Sequence, residues 1–213
     1  MATYDLEEQE QIENLKAWWK QWGNYVIYGA SAILIAIAGY HYWQHTVATK
    51  TIEAADKFEV MQQALAANNQ KAARESGSIL IDQYAGTAYA TRAAMQLARI
   101  NIENKDMKSA KAQLEWIVAN SKEAAYRDVA RLNLAGMLLD EKQYDAALAQ
   151  LNAKHSDAFG PRFEDLKGDV YLAQGKTAKA RTAYSSAYAK LKETNPLRGV
   201  VEIKLDSLGG AAK

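Results

Sequence analysis

Hydrophobic and polar positions divide the chain into two unlike parts. Between Lys20 and Lys50 run 29 residues without Lys, Arg, Asp or Glu, in a chain that is 24% charged overall. Inside that gap lies Tyr25–Trp43, 19 residues that as a helix span about 28 Å, close to the ~30 Å hydrocarbon core of a bilayer. Tyr25, Val26, Ile33, Leu34, Ile35, Ile37, Tyr40 and Trp43 mark out this anchor, and the lipid bilayer is its expected partner. Aromatic residues bracket it: Trp18, Trp19, Trp22, Tyr25 and Tyr28 before the aliphatic stretch, Tyr40, Tyr42 and Trp43 after it. Trp and Tyr favour the headgroup boundary, where the ring is buried and its polar group stays wet. A buried helix of a soluble protein does not need such belts. A cleaved signal peptide needs a short basic start and small residues at its end. The reading is therefore an uncleaved signal anchor. Lys16 and Lys20 on one side balance Lys50 and Lys57 on the other, so charge does not orient it. The simplest insertion is N-terminus in, C-terminal domain out.

A second pattern precedes the anchor. Ile12, Leu15, Trp19 and Trp22 fall at helical spacing along one stripe. Acids fill the first turns and lysines the end, as the helix dipole favours. The stripe reads either as an interfacial extension of the membrane helix or as a docking helix for a partner.

Beyond Lys50 the chain is alanine-rich and repeats itself. Leu97-Ala98…Lys105-x-Met107-x-x-Ala110-x-x-x-Leu114 recurs 37 residues later as Leu134-Ala135…Lys142-x-Tyr144-x-x-Ala147-x-x-x-Leu151. A third copy, Gly168-x-x-Tyr171…Gly175-x-Thr177-x-x-Ala180-x-x-x-Tyr184-x-x-Ala187, follows at an offset of 33, and Asn68-x-Gln70-x-x-Ala73 is a weaker copy upstream. Each copy reads as two antiparallel helices joined by a tight turn at Asn68, Lys105, Lys142 or Gly175. Ala73, Ala110, Ala147 and Ala180 let the second helix approach the first, and a large residue four positions later fills the groove beside it. One hairpin cannot bury its apolar face alone, so the units must stack. Asn195-Pro196 opens a last helix whose Leu197, Val201, Leu205 and Leu208 form one stripe, and Gly209-Gly210 ends it. That helix suits the capping of an open solenoid end.

Composition narrows the function classes. Twenty-six Lys and Arg against 25 Asp and Glu leave a net charge of +1, so no basic field exists to grip nucleic acid. Five acids and two bases in residues 1–24 give that segment a net charge of −3; residues 44–213 carry +4. Cysteine is absent, which removes disulfides, thiolate metal sites and a thiol nucleophile together. Two prolines and scattered glycines argue against an all-β fold.

No constellation for catalysis emerges, and the expectation is of no catalytic, cofactor-binding or metal-binding residue. Gly168…Gly175-Lys176-Thr177 has six residues between its glycines where a phosphate-binding loop has four, and no strand precedes it, so no nucleotide is expected. His41 and His45 are one turn apart but lack a third ligand and lie in the interface belt. His155-Ser156-Asp157 holds the letters of a triad, but adjacent residues in a loop cannot converge as triad members do.

The repeat resembles the tetratricopeptide repeat, whose second half reads G-x-Y-x-x-A-x-x-x-F-x-x-A. The third copy keeps the turn glycine and final alanine; the second keeps the tyrosine, as Tyr144. Periods of 37 exceed the usual 34, from which longer loops between repeats are expected. The whole layout resembles one family. An acidic Glu7-Glu8-Gln9-Glu10-Gln11…Lys16-Ala17-Trp18-Trp19 head precedes a single anchor, and the repeats end in Glu202-Ile203-Lys204-Leu205-Asp206-Ser207-Leu208. This is similar to the YfgM-like bacterial inner-membrane proteins. The resemblance implies repeats in the periplasm, association with the SecYEG translocon and with the membrane-anchored periplasmic chaperone PpiD, and contact with translocating polypeptides.

The expected fold is all-α: a single N-terminal transmembrane helix, then a tetratricopeptide-like solenoid of about four hairpins with a capping helix. Residues 1–24 form a cytoplasmic acidic segment, 25–43 the anchor, 44–208 the repeats and 209–213 a tail. In such solenoids the first helix of each pair lines the concave side. On that basis Arg92, Met95, Arg99 and Ile102 form a basic wall, and Arg162, Asp165, Asp169 and Leu172 an acidic one. Mixed charge around apolar anchors suits tolerant capture of unfolded segments. The function expected is a membrane-anchored interaction module, the alternative being a scaffold for cell-wall or lipid-linked assembly.

Overall fold

In the computed structural model four helical hairpins each turn at a residue with a positive φ: Asn68 (54°), Lys105 (60°), Lys142 (59°) and Gly175 (73°). These are the four turn positions that the repeat spacing marks. The hydrogen bond that closes each turn is also the same. The amide after the left-handed residue donates to the carbonyl five residues back: Asn69 to Ala64, Asp106 to Asn101, Gln143 to Leu138, Lys176 to Tyr171, at 2.8, 2.8, 2.8 and 2.9 Å. This bond satisfies a carbonyl that the helix end leaves open.

The structure describes the backbone of residues 2–209 and the side chains of 8–209. Residues 210–213, most of the expected tail and half of the Gly209-Gly210 stop, lie outside the described residues, as do the side chains of Asp5 and Glu7. The helices are α1 (Ala2–Ala66), α2 (Gln70–Gln83), α3 (Ala88–Glu103), α4 (Met107–Asn120), α5 (Ala124–Asp140), α6 (Tyr144–Leu151), α7 (Gly160–Ala173), α8 (Thr177–Lys190) and α9 (Pro196–Ser207), with one 3-10 turn at Asp157–Phe159. Among the described residues there is no strand. Two compact units result, residues 1–50 and residues 51–213.

The second unit is a row of hairpins: residues 51–66 with α2, α3 with α4, α5 with α6, and α7 with α8, followed by α9. Its core is a chain of small clusters, not one centre. Met61, Leu80 and Leu97 belong to the first, Ala98, Leu114 and Leu134 to the second, Ala135, Leu151 and Phe163 to the third, Tyr184, Val201 and Leu205 to the fourth. Each hairpin borrows its neighbour's apolar face, the quasi-one-dimensional arrangement of a solenoid.

Ala73, Ala110, Ala147 and Ala180 are all fully buried, as the spacing predicts. The residue four positions later is Leu114, Leu151 or Tyr184 in three hairpins, each at most 1% exposed. In the first it is Gly77, and the expected large side chain comes from elsewhere: a Cβ on Gly77 would lie 2.9 Å from Leu97 Cδ1 of α3. A pattern of size compensation runs through the equivalent positions of first and second helices. They hold Met61 and Gly77, Ala98 and Leu114, Ala135 and Leu151, Gly168 and Tyr184. In each pair one member is bulky and the other small. At the last pair the fit is closest, since a Cβ on Gly168 would stand 2.2 Å from the Tyr184 ring.

The expectation of longer loops is overturned. The two 37-residue periods have short inter-hairpin connections at 84–87 and 121–123, and spend their extra residues on helices α3 and α5, of 16 and 17 residues. The longest connection, 152–159, lies in the 33-residue period, because α6 has only 8 residues. Asp128 of α5, 2% exposed, holds that loop: Ser156 donates to its carboxylate from both the amide, at 3.0 Å, and the hydroxyl.

Candidate functional site

Four residues of α3 come together on one open face. Arg92, Met95, Arg99 and Ile102 all line a groove of about 500 Å³. Their spacing places them along one side of a helix whose other side, Ala93, Ala94, Leu97 and Ile100, is buried in the first two core clusters. Phe58 near the end of α1, Leu114 of α4 and Tyr126 of α5 complete the apolar part of the groove. These three escaped sequence reasoning because they come from three other helices, and no single periodicity joins them. Arg92 lies over the Tyr89 ring, 5.6 Å from its centre, and Tyr89 packs on Phe58 at the same separation. Arg99 faces Glu103 at 3.5 Å, both side chains more than half exposed.

The second set is divided. Arg162 and Leu172 are exposed, but Asp165 and Asp169 are half-buried and paired within the chain. Lys204 of α9 places its Nζ 2.7 Å from Asp165 and 2.8 Å from Asp169. The Tyr184 hydroxyl donates to Asp169 at 2.7 Å, and the Lys204 ammonium lies 5.4 Å from the Tyr184 ring centre. The two acids of the expected wall thus form a half-buried ion-pair cluster that fastens the terminal helix. Burial pushes the Asp165 carboxyl up, and Asp169 adds to this, against the pull of Lys204. Burial works to lower Lys204, but its two carboxylate partners outweigh it and the net shift is upward. Tyr184 is pushed well above the ordinary phenol range, first by burial and then by Asp169. The sequence signal for Lys204 was available: it lies within the stripe of α9, beside buried Val201 and Leu205, where an unpaired cation would be costly.

In the first unit every residue that marks the expected anchor is exposed, from Val26 at 42% to Ile35 at 72%. One helix among the described residues is long and apolar enough to cross a membrane. Trp22 lies against Tyr25 and Tyr40 against Trp43, with ring centres 5.8 and 6.1 Å apart, at the two ends of the apolar stretch. As a helix, the segment satisfies its own backbone hydrogen bonds, which a lipid environment requires.

The motifs that resemble chemistry have structural roles. His155 stacks on Phe163, ring centres 4.2 Å apart, and its Nδ1 lies 3.1 Å from the Ser156 carbonyl oxygen, while the Ser156 hydroxyl turns away to Asp128. Gly168 is the close-packing point under Tyr184, and Gly175 is a turn residue. Among the described residues no group of three or more His, Asp or Glu is placed to hold a metal ion.

Stacked helical hairpins with an open lateral groove, preceded by a candidate membrane span, define a repeat protein of the interaction class. The chain belongs to the tetratricopeptide repeat-like domain family, whose model matches residues 16–210. More particularly, it is similar to proteins named "Ancillary SecYEG translocon subunit". That of Neisseria gonorrhoeae is 32% identical over 98% of this chain and 100% of the relative. That of Haemophilus influenzae is 26% identical over 87% of this chain and 90% of the relative, and that of Escherichia coli 23% over 98% and 99%. No solved structure matches the chain. These relatives bear out the family read from the acidic head, the anchor and the terminal helix. Their names describe a subunit of an assembly, in accord with the expectation of a protein that is not an enzyme.

Proposed function

We propose that this chain is a single-pass inner-membrane protein that accompanies the Sec translocon and offers its repeats to polypeptides emerging on the periplasmic side. Residues 1–24 are cytoplasmic in this reading and the repeats periplasmic, within reach of a membrane-anchored chaperone such as PpiD. The observation that carries the proposal is the groove in which Arg92, Met95, Arg99 and Ile102 meet, on a chain similar along its length to translocon subunits. An open apolar groove with a charged rim, on a rigid scaffold, fits transient capture better than catalysis.

The test is a photo-crosslinker in place of Met95 in the full-length protein, in cells exporting a pulse-labelled substrate. Adducts to nascent chains, to translocon subunits or to the chaperone are expected at Met95 and not at exposed Val200 of α9. Equal adducts at both positions overturn the groove as the binding face. A reporter active only in the periplasm, fused after Lys213, is expected to be active; a cytoplasmic reporter active there overturns the orientation.

A further inference from the structure

The same four positions carry opposite net charge at the two ends of the solenoid, and among the described residues only one end is satisfied within the chain. At an offset of 70 residues, Met95 and Arg99 of α3 become Asp165 and Asp169 of α7. Between them, α5 has the uncharged Val129, Leu132, Gly136 and Leu139. The α7 face is met by Lys204, a cation flanked by the apolar Val201 and Leu205 of α9. Among the described residues no element supplies the converse to α3. Arg92 has no carboxylate partner among the described residues, only the Tyr89 ring beneath it. Arg99 has only Glu103 one turn on, an exposed pair that a ligand carboxylate can replace at little cost. Met95 lies between the two arginines, with Phe58 and Leu114 on the walls beside them.

We infer that the groove on α3 takes an acidic segment of a partner polypeptide: two carboxylates for Arg92 and Arg99, with a large apolar side chain between them for the half-buried Met95 and Phe58. This rests on the groove being the binding face and names what it selects. The spacing follows from geometry. Seven residues of helix separate Arg92 from Arg99 by about 10 Å. Three residues of extended chain cover about the same length. The ligand is therefore an extended stretch with acids three residues apart. Arginine is suited to this, since its planar fork meets a carboxylate with two hydrogen bonds.

The experiment uses the full-length protein in lipid nanodiscs and three labelled peptides read by fluorescence anisotropy. One has two glutamates three residues apart with leucines between; the second has lysines for the glutamates, the third glutamines. The wild type is expected to bind the acidic peptide about tenfold more tightly than the basic one, with the neutral peptide between. Arg92→Glu/Arg99→Glu is expected to reverse the order, and that reversal shows that the variant is folded. Equal binding of all three peptides, unchanged in the variant but weakened by Met95→Ala, overturns the acidic preference and leaves the groove standing. No binding of any peptide overturns both. Self-association of the wild type that the double reversal abolishes makes a second copy the occupant and overturns the proposal.

Discussion

The α3 and α7 faces of this solenoid descend from one repeat pattern and have opposite fates. On α3 the side chains at the equivalent positions stay open, their charges met weakly or by an aromatic ring. On α7 the two aspartates are closed by Lys204 and Tyr184 into a cluster with contacts of 2.7 to 2.8 Å. What differs is the next element. After α3 the next hairpin presents the uncharged face of α5, and the groove stays open. After α8 comes α9, and that helix brings its own cation. A solenoid end has to be closed for solubility, and here closure consumes the acidic positions that a reading of α7 alone assigns to a partner.

The largest expected effect lies at the closed end. Gly168→Ala puts a methyl into the Tyr184 ring, at the tightest approach between α7 and α8. A destabilisation of about 3 kcal/mol is expected, because helix packing of this kind leaves no room to shift. The equivalent pair on the open side, Ala98 and Leu114, already has the larger small residue and the smaller large one. Gly168→Ala/Tyr184→Leu rebuilds that pair at the closed end and should recover much of the loss, short of the Tyr184–Asp169 hydrogen bond. Thermal unfolding of the two variants is the measurement; a double variant no more stable than the single one breaks the equivalence of the two ends.

Next in size is Lys204→Met. It leaves Asp165 and Asp169 part-buried without a cation, for a loss of about 1–2 kcal/mol after allowance for their partial exposure. Hydrogen exchange should quicken across α9 and not across α3. The loss also has a pH signature. Lys204 and its hydrogen bonds are what lower Asp165; without them, burial and the Asp169 charge raise it further. A carboxyl raised above its ordinary value binds its proton more tightly in the folded state, so the fold loses stability as pH rises from about 4 through the folded value. The deficit of Lys204→Met relative to the wild type should therefore shrink between pH 7 and pH 5. In the wild type the raised Lys204 acts at the other extreme: its contribution is full below about pH 10 and is lost as pH rises through its folded value. A deficit that does not change on acidification removes Asp165 as its cause.

How much of this was legible in the sequence follows the same division. The turns were legible to the residue, because a 37-residue repeat fixes which positions are equivalent and one of them, Gly175, declares its conformation. The capping helix was legible too: Asn195 caps it, with its side chain accepting from the Leu197 amide at 3.0 Å, and Val201 and Leu205 are buried. The α3 face was legible because its four residues lie on one helix at helical spacing. What periodicity could not reach was contact between helices: Phe58, Leu114 and Tyr126 around the groove, Ser156 on Asp128, Lys204 on Asp165. These depend on how far one helix lies from the next and on where a loop returns. The length of the connections was misjudged for a related reason. A period counts residues from turn to turn and does not say whether helix or loop absorbs the surplus.

A smaller effect is expected at the turns. Lys105 and Lys142 adopt the left-handed conformation at φ of 60° and 59°, where a side chain is disfavoured, while the equivalent Gly175 adopts it freely. Lys105→Gly and Lys142→Gly should each stabilise the repeats by about 1 kcal/mol, and Gly175→Lys should destabilise by a similar amount. Neither lysine makes an ion pair among the described residues that the substitution would remove, so chemical denaturation midpoints report the backbone term directly. Destabilisation by Lys105→Gly would show that its side chain contributes more than its conformation costs.

The smallest effect on stability should come from the boldest change in charge. Arg92→Glu/Arg99→Glu reverses two charges on α3, yet what it removes is an exposed pair with Glu103 and a 5.6 Å contact between Arg92 and the Tyr89 ring. It also sets a second carboxylate one turn before Glu103, a like-charge contact that on a helix surface costs a few tenths of a kcal/mol. Altogether the loss should stay below about 1 kcal/mol, because no buried partner is left behind. The equivalent change at the closed end, Asp165→Lys/Asp169→Lys, sets two further cations against Lys204 and should release α9. Melting temperatures of the two double variants, measured side by side in one detergent, make the comparison. If both fall equally, the α3 arginines are structural, and the groove that they border is not an open face awaiting a partner. If only the α7 variant falls while crosslinking from Met95 is lost in the α3 variant, one end of the repeat row is built for stability and the other for binding.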